Sequence, residues 1–251
     1  AAQEAAETTL RVGLTGAPPS KGNPYQNLGT TSNLVWPAFY DTLTYLDNEG
    51  AIVPGLATSW ERDGPKTWIF HLRPGVQFSN GEPFTADSVK VTFDMLRSDE
   101  ARGFSWQREI ASYSAVYVID DLTVAIHTDA PDLLTPGLLT GLYIVPAKYL
   151  TEMGYQGLYD APVGSGPFAV ERWEPAKITL TANRTSWHPP KVDRMEMLVV
   201  PDSSARLQAL IAGRIDVAIS VSSDQMGMIE QAGHRTHLRT PTRRPMPRAA
   251  Q

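Results

Sequence analysis

The sequence predicts a mixed α/β fold, and three observations carry that prediction. Residues 9–14, 168–173 and 178–183 alternate apolar and polar side chains, the period of a strand with one buried face. Residues 85–96 and 202–211 space their apolar side chains by three and four, the period of a helix with one buried stripe. Gly, Pro and Asn–Gly signals punctuate the chain between such runs, as at Asp63-Gly64-Pro65, Pro74-Gly75 and Asn80-Gly81.

Composition narrows the class. The chain has 251 residues, enough for one large domain or two small ones with a sizeable core. Its 42% apolar and 20% charged content and net charge of −5 are those of an ordinary globular protein. Mild acidity gives no support to nucleic acid as a partner. No run approaches the roughly 18 apolar residues of a membrane span. The 251 residues contain no cysteine, so within them there are no disulfides, no thiolate metal sites and no thiol for a lipid anchor. The opening AAQEAAETT lacks the basic and apolar regions of a signal peptide.

Taken in order, residues 9–14 form a first strand through Leu10, Val12 and Leu14, and the Gly/Pro/Ser-rich residues 16–24 form a loop. Residues 32–40 are predicted as a short helix with Pro37 in its first turns. Trp68, Phe70 and Leu72 alternate with Ile69 and His71 in a strand. Thr85 caps a helix whose stripe is Val89, Phe93 and Leu96, with Asp87 complementing its positive end. Residues 114–120 and 122–128 are strand-like, and 131–139 and 146–153 are predicted short helices. Met195, Met197, Val199 and Val200 predict a buried strand. Asp202 caps a helix that Gly213 ends, and residues 215–219 make a further strand. Residues 233–251 are basic and Pro-rich, with Arg235, Arg239, Arg243, Arg244 and Arg248, and are predicted to be disordered.

Several linked motifs carry a resemblance. Residues 54–60 read PGLATSW, 70–78 read FHLRPGVQF and 81–89 read GEPFTADSV. Further on come Ile144-Val145-Pro146, PVGSGPF at 162–168, then Asn183, Trp187 and Pro190, and ALIAGRIDV at 209–217. In this order and spacing they resemble the extracytoplasmic solute-binding proteins of ABC importers, family 5, which take peptides or nickel. The resemblance runs from about residue 10 to 231, whereas family members are about twice this length. It implies one lobe of a periplasmic-binding-protein-like (type II) fold, with the second lobe absent. Residues 9–46 and 163–231 would form the main lobe, and 53–161 an inserted α+β subdomain.

The same resemblance implies an exported protein, periplasmic or otherwise extracytoplasmic with its signal peptide removed. It would capture a peptide-like or other small solute without catalysis or cofactor and deliver it to an ABC permease in the membrane. The alternative is a one-lobed relative or truncated product that binds a protein partner, with self-association through the face a second lobe would cover. For the solute, the loop after the first strand and the position after the Gly213-Arg214-Ile215-Asp216 run are implied: Gly16, Ala17, Pro18, Thr31, Asn33 and Ser220. Loops at the ends of sheet strands are where open α/β folds place ligands.

Other candidates weigh less. PVGSGPF matches neither a phosphate loop nor a nucleophile elbow, so Ser165 is read as part of a turn needing two glycines. His234 and His237 form an H-x-x-H pair with no third ligand nearby. His71, on the strand face opposite Phe70, is read as structural. The Arg-rich tail has no aromatic to stack a base, so no nucleic-acid partner is assigned. Trp36, Tyr40, Trp60, Trp106 and Trp187 are read as core more often than cleft.

Overall fold

The computed structural model describes residues 7–27 and 29–236. The strand Thr9–Leu14 lies inside a five-stranded sheet, between Arg194–Val199 and Val217–Ala218, both parallel to it. Lys177–Ala182 and Phe168–Glu174 continue the sheet antiparallel beyond Arg194–Val199. Alternation in Thr9–Leu14 is explained by two apolar clusters on opposite faces. Val12 and Leu14 belong to the main core, while Gly13 faces the side chains of Arg206 and Ile215. A Cβ at Gly13 would lie 2.6 Å from the Ile215 side chain, so only glycine lets the covering layer come this close.

That covering layer is the helix Ser203–Ile211, which brings Leu207 and Leu210 into a second cluster with Ile215 and Ile229. Asp202 caps it as expected, its carboxylate accepting the Ala205 N–H at 2.7 Å. Gly213, at φ +66°, ends it: its N–H donates to the Leu210 carbonyl at 3.0 Å and that of Arg214 to Ala209 at 2.8 Å, a Schellman closure. Because neighbouring strand residues serve different clusters, Arg194–Val199 is less buried than predicted. Met197 is buried in the main core, Leu198 packs toward the second cluster, and Met195, Val199 and Val200 are half-buried.

A four-stranded antiparallel sheet, in the order Ala57–Arg62, Thr67–Leu72, Thr123–Thr128, Tyr113–Asp120, occupies the chain between the first and last segments of the other sheet. Its inner face presents Phe70, Val116, Val124 and Ile126 to the core. The helix Ala86–Arg97 packs there through Val89, Phe93 and Leu96, and the Phe93 and Tyr113 rings lie 5.6 Å apart. Thr85 occupies its N-cap, and the Thr85 N–H donates to the Ser88 hydroxyl at 3.4 Å. Two short ladders, Asp41–Thr42 with Tyr143–Ile144 and Thr44–Leu46 with Ile52–Pro54, lie beside them. One apolar cluster runs from Leu14 and Met197 through Trp36 and Tyr40 to Phe70 and Phe93. Each large side chain removed from water there contributes about 1.5–3 kcal/mol.

Several predicted boundaries shift. The helix expected at 32–40 is Thr30–Val35 followed by a 3-10 turn at Trp36–Ala38, because Pro37 cannot donate to a continuing α-helix. Of residues 131–139 only Thr135–Leu138 is helical. The segment predicted at 146–153 continues to Asp160, bent at Gly154, whose φ of +59° lies outside the helical region. Only Val217–Ala218 of residues 215–219 pairs as strand. In the basic segment 233–251, residues 237–251 lie outside those described.

Candidate functional site

The ends of the parallel strands converge on one edge of the five-stranded sheet. Val200 donates its N–H to the Leu14 carbonyl at 2.8 Å, and Ile219 donates to Gly13 at 3.2 Å. The chain therefore leaves strands Thr9–Leu14, Arg194–Val199 and Val217–Ala218 side by side. This is the carboxyl edge, where loops from neighbouring strands make a crevice. Arg206 lies beneath it, 2% exposed. Its Nε donates to Ile219 O at 2.9 Å, Nη1 to Val200 O at 2.6 Å and Pro201 O at 3.1 Å, and Nη2 to Ser220 O at 2.8 Å. Ser220 itself holds a left-handed backbone, φ +54°, a conformation that needs local support in a non-glycine residue.

Gly16 and Ala17, just past Leu14, are half-buried at this edge, and Ser220, one residue past Ile219, is exposed there. Pro18 is buried, and its carbonyl accepts the Lys21 N–H at 3.1 Å. The rest of the loop is built rather than loose. The Ser20 hydroxyl donates to Asn23 O at 2.8 Å, the Trp36 indole to Lys21 O at 3.0 Å and the Tyr40 hydroxyl to Gly22 O at 2.7 Å. Thr31, half-buried, and Asn33, exposed, sit on the short helix after the loop, joined to it through Trp36. The structure thus brings Gly16, Ala17 and Ser220 to one edge and sets Thr31 and Asn33 on an adjoining element.

A second polar centre, which sequence reasoning missed, surrounds Asp41. This carboxylate is 1% exposed and accepts four bonds: Tyr45 hydroxyl at 2.5 Å, Ser165 hydroxyl at 2.8 Å, Trp187 indole at 3.0 Å and His188 Nε2 at 2.9 Å. Burial alone would push the Asp41 carboxyl up. The hydrogen bond and charge of His188, with bonds from Tyr45 and Trp187, outweigh it and hold the pKa below the ordinary carboxylate value. Above the Trp187 ring, 4.1 Å away, lies the Arg73 guanidinium. Ser, His and Asp meet here in the wrong order for hydrolysis. Ser165 is fully buried and donates to Asp41, while His188 holds the other carboxylate oxygen, so the imidazole does not face the hydroxyl.

The glycines flanking Ser165 explain that burial. A Cβ at Gly164 would lie 1.9 Å from the Phe39 carbonyl oxygen, and one at Gly166 2.6 Å from the Phe39 carbonyl carbon. Trp36, Tyr40 and Trp106 are buried in the core and Trp60 packs against it, while Trp187 bonds to the Asp41 carboxylate. His71 lies 3.6 Å from Glu61 on the outer face of the four-stranded sheet. Of the His234–His237 pair, His237 lies outside the described residues.

Two open clefts lie away from the strand edge. One of about 200 Å³ is lined by Glu171, Lys177, Arg194 and Glu196, whose charges already pair with one another. The other, about 290 Å³, lies between Asn80, Asp160, Arg172 and Trp173. Both fall below the size of a typical small-molecule site. Among the described residues, no helix is long and apolar enough to cross a membrane.

The signals for the two missed groups were present. Arg206 interrupts the apolar stripe of its helix, four residues before Leu210, and Asp41 interrupts the aromatic run Trp36 to Tyr40 before Leu43. A charge inside an apolar pattern marks a buried, fully bonded group.

Comparison with known proteins agrees with this architecture. The di/tripeptide-binding protein 1 of Pseudomonas aeruginosa (strain UCBPP-PA14) is 28% identical over 232 residues, covering 82% of this chain and 43% of that protein. The nickel-binding periplasmic protein of Escherichia coli (strain K12) is 28% identical over 188 residues, 71% of this chain and 35% of that one. A solved binding protein from A. tumefaciens R10, in complex with agropinic acid, superposes with a TM-score of 0.81 at 27% identity, covering 89% of this chain and 46% of that one. The chain spans less than half the length of these relatives, and its described residues form one lobe of a type II periplasmic-binding-protein fold. The profile of bacterial extracellular solute-binding proteins, family 5, matches residues 51–246, and the chain belongs to that family.

Proposed function

We propose that the chain supplies one lobe of an extracytoplasmic solute-binding component of an ABC importer, and that it captures a peptide-like or other small solute without catalysis. The observation that carries this reading is the shared edge at which Leu14, Val200 and Ile219 leave the sheet. Gly16, Ala17, Pro18, Thr31, Asn33 and Ser220 are the proposed solute-facing positions, with Gly16, Ala17 and Ser220 best placed for contact. Names of the relatives, a di/tripeptide binder and a nickel binder, support a small solute as the cargo. The proposed setting is the periplasm or another extracytoplasmic space, and the proposed recipient is a membrane permease. On this reading residues 9–46 with 163–231 are the main lobe and 53–161 the inserted subdomain.

A thermal-shift screen of the purified chain against di- to pentapeptides, glutathione, Ni²⁺, sugars and amines tests the proposal. A solute at a hundred times its dissociation constant adds about 2.7 kcal/mol, which raises the melting temperature by several degrees. A cooperative melt that no solute class moves would overturn it. Affinity should be weak, since one lobe covers one side of a solute and leaves most of the other in water.

A further inference from the structure

We propose that Arg206 is a positioning residue for the solute edge: one guanidinium locks the exits of two strands together, so that Ser220 stays in register with the loop after Leu14. The inference rests on the solute-capture reading for its purpose, but its geometry stands independently. Four bonds from three nitrogens reach carbonyls on two segments that are nearly twenty residues apart, Val200 and Pro201 on one side and Ile219 and Ser220 on the other. The same two segments are hydrogen-bonded to the central strand, Val200 to Leu14 and Ile219 to Gly13. Arg206 therefore closes a loop of contacts that includes all three strand ends.

The side chain is shaped into the sheet. A Cβ at Gly13 would come within 3.2 Å of the Arg206 Cγ, so the aliphatic stem lies over a strand position that has no side chain. A planar, rigid fork suits this role because its donors diverge in fixed directions and each finds a different carbonyl. Lysine, with a compact ammonium on a flexible stem, cannot span the same four acceptors. Nor does a purely packing role account for the arrangement. Leu207 and Leu210 already fill the second cluster, whereas the guanidinium turns to strand-exit carbonyls and donates to each. Ser220 is exposed, and its carbonyl, which follows a left-handed backbone, accepts one of these bonds.

Amide hydrogen exchange on the 251-residue chain, wild type against Arg206→Lys and Arg206→Met, tests the proposal. The Val200 and Ile219 amides should exchange about tenfold faster in both variants, because local opening of these exits is no longer opposed. Over the same period the amides of Leu180 in the antiparallel part of the sheet, and of Phe70 and Val124 in the four-stranded sheet, should change by less than about twofold. A uniform acceleration across all these amides would show that Arg206 only fills the core and would overturn the proposal. So would unchanged exchange at Val200 and Ile219. If Arg206→Met does not fold, Arg206→Lys decides. Trialanine, glutathione and Ni²⁺ added to the wild type form a separate arm: no protection from any of them counts against solute capture and leaves the exchange result on Arg206 standing.

Discussion

The carboxylate of Asp41 accepts the hydroxyl of Ser165 at 2.8 Å across 124 residues of sequence, and this bond fastens the PVGSGPF turn to the start of the short ladder at Asp41–Thr42. Trp187 and His188 close on the same carboxylate, so three distant segments meet at one buried charge. Replacing one carboxylate oxygen by an amide nitrogen removes the charge and turns a donor toward two of the four groups that bonded to it. Asp41→Asn should therefore cost about 3 kcal/mol, and Ser165→Ala only about 1 kcal/mol, in urea unfolding.

The same centre fixes a pH dependence. Asp41 has a folded pKa below its ordinary value of 3.8, so its contribution to stability is fully present above that value and is lost as pH falls through the lower folded pKa. The wild type should lose stability more steeply below about pH 4 than Asp41→Asn, which has no such group to protonate. Melting temperatures of the two chains between pH 6 and pH 3 check this, and parallel curves would contradict it.

Gly164 gives a steric test. Its Cβ would have to occupy the position of the Phe39 carbonyl oxygen, a backbone atom that cannot swing aside. Gly164→Ala should cost about 3 kcal/mol or more. Gly227, in the helix Met226–Gln231 with open space around it, supplies the contrast: Gly227→Ala should stabilise by up to about 1 kcal/mol. Thermal melts of both variants separate the two kinds of glycine.

The helix that carries Arg206 depends on its cap. Asp202→Ala removes the acceptor for the Ala205 N–H and should lower stability by about 1 kcal/mol. Amide exchange at Leu207 and Leu210 should report the fraying.

Much of this architecture is legible in the sequence because its periods are strong. Val12 and Leu14 show a strand, and Val89, Phe93 and Leu96 a helix, since each stripe faces one apolar cluster. The pattern fails where both faces are covered. Met197 and Leu198 are adjacent yet serve different clusters, so Arg194–Val199 is not the simply buried strand that its methionines suggest. Pro37 marks a break rather than a helix start, because the α-helix before it has already formed. Arg206 and Asp41 stand out as charges in apolar patterns, but what they bond to is hidden for another reason. Their partners lie at 200, 201, 219 and 220, and at 45, 165, 187 and 188, pairings that only the folded topology brings together. The proposed solute positions stand between these cases. Their loop is recognisable from its glycines and prolines, but the burial of Pro18 is not.

Hydrogen exchange mapped on the wild-type chain with and without a saturating solute decides whether solute binds at the strand edge. A solute chosen from those that raise the melting temperature should slow exchange at residues 15–18, 29–33 and 219–221. Protection confined to the cleft between Asn80, Asp160 and Trp173, or to the charged face around Lys177 and Glu196, would contradict the assignment.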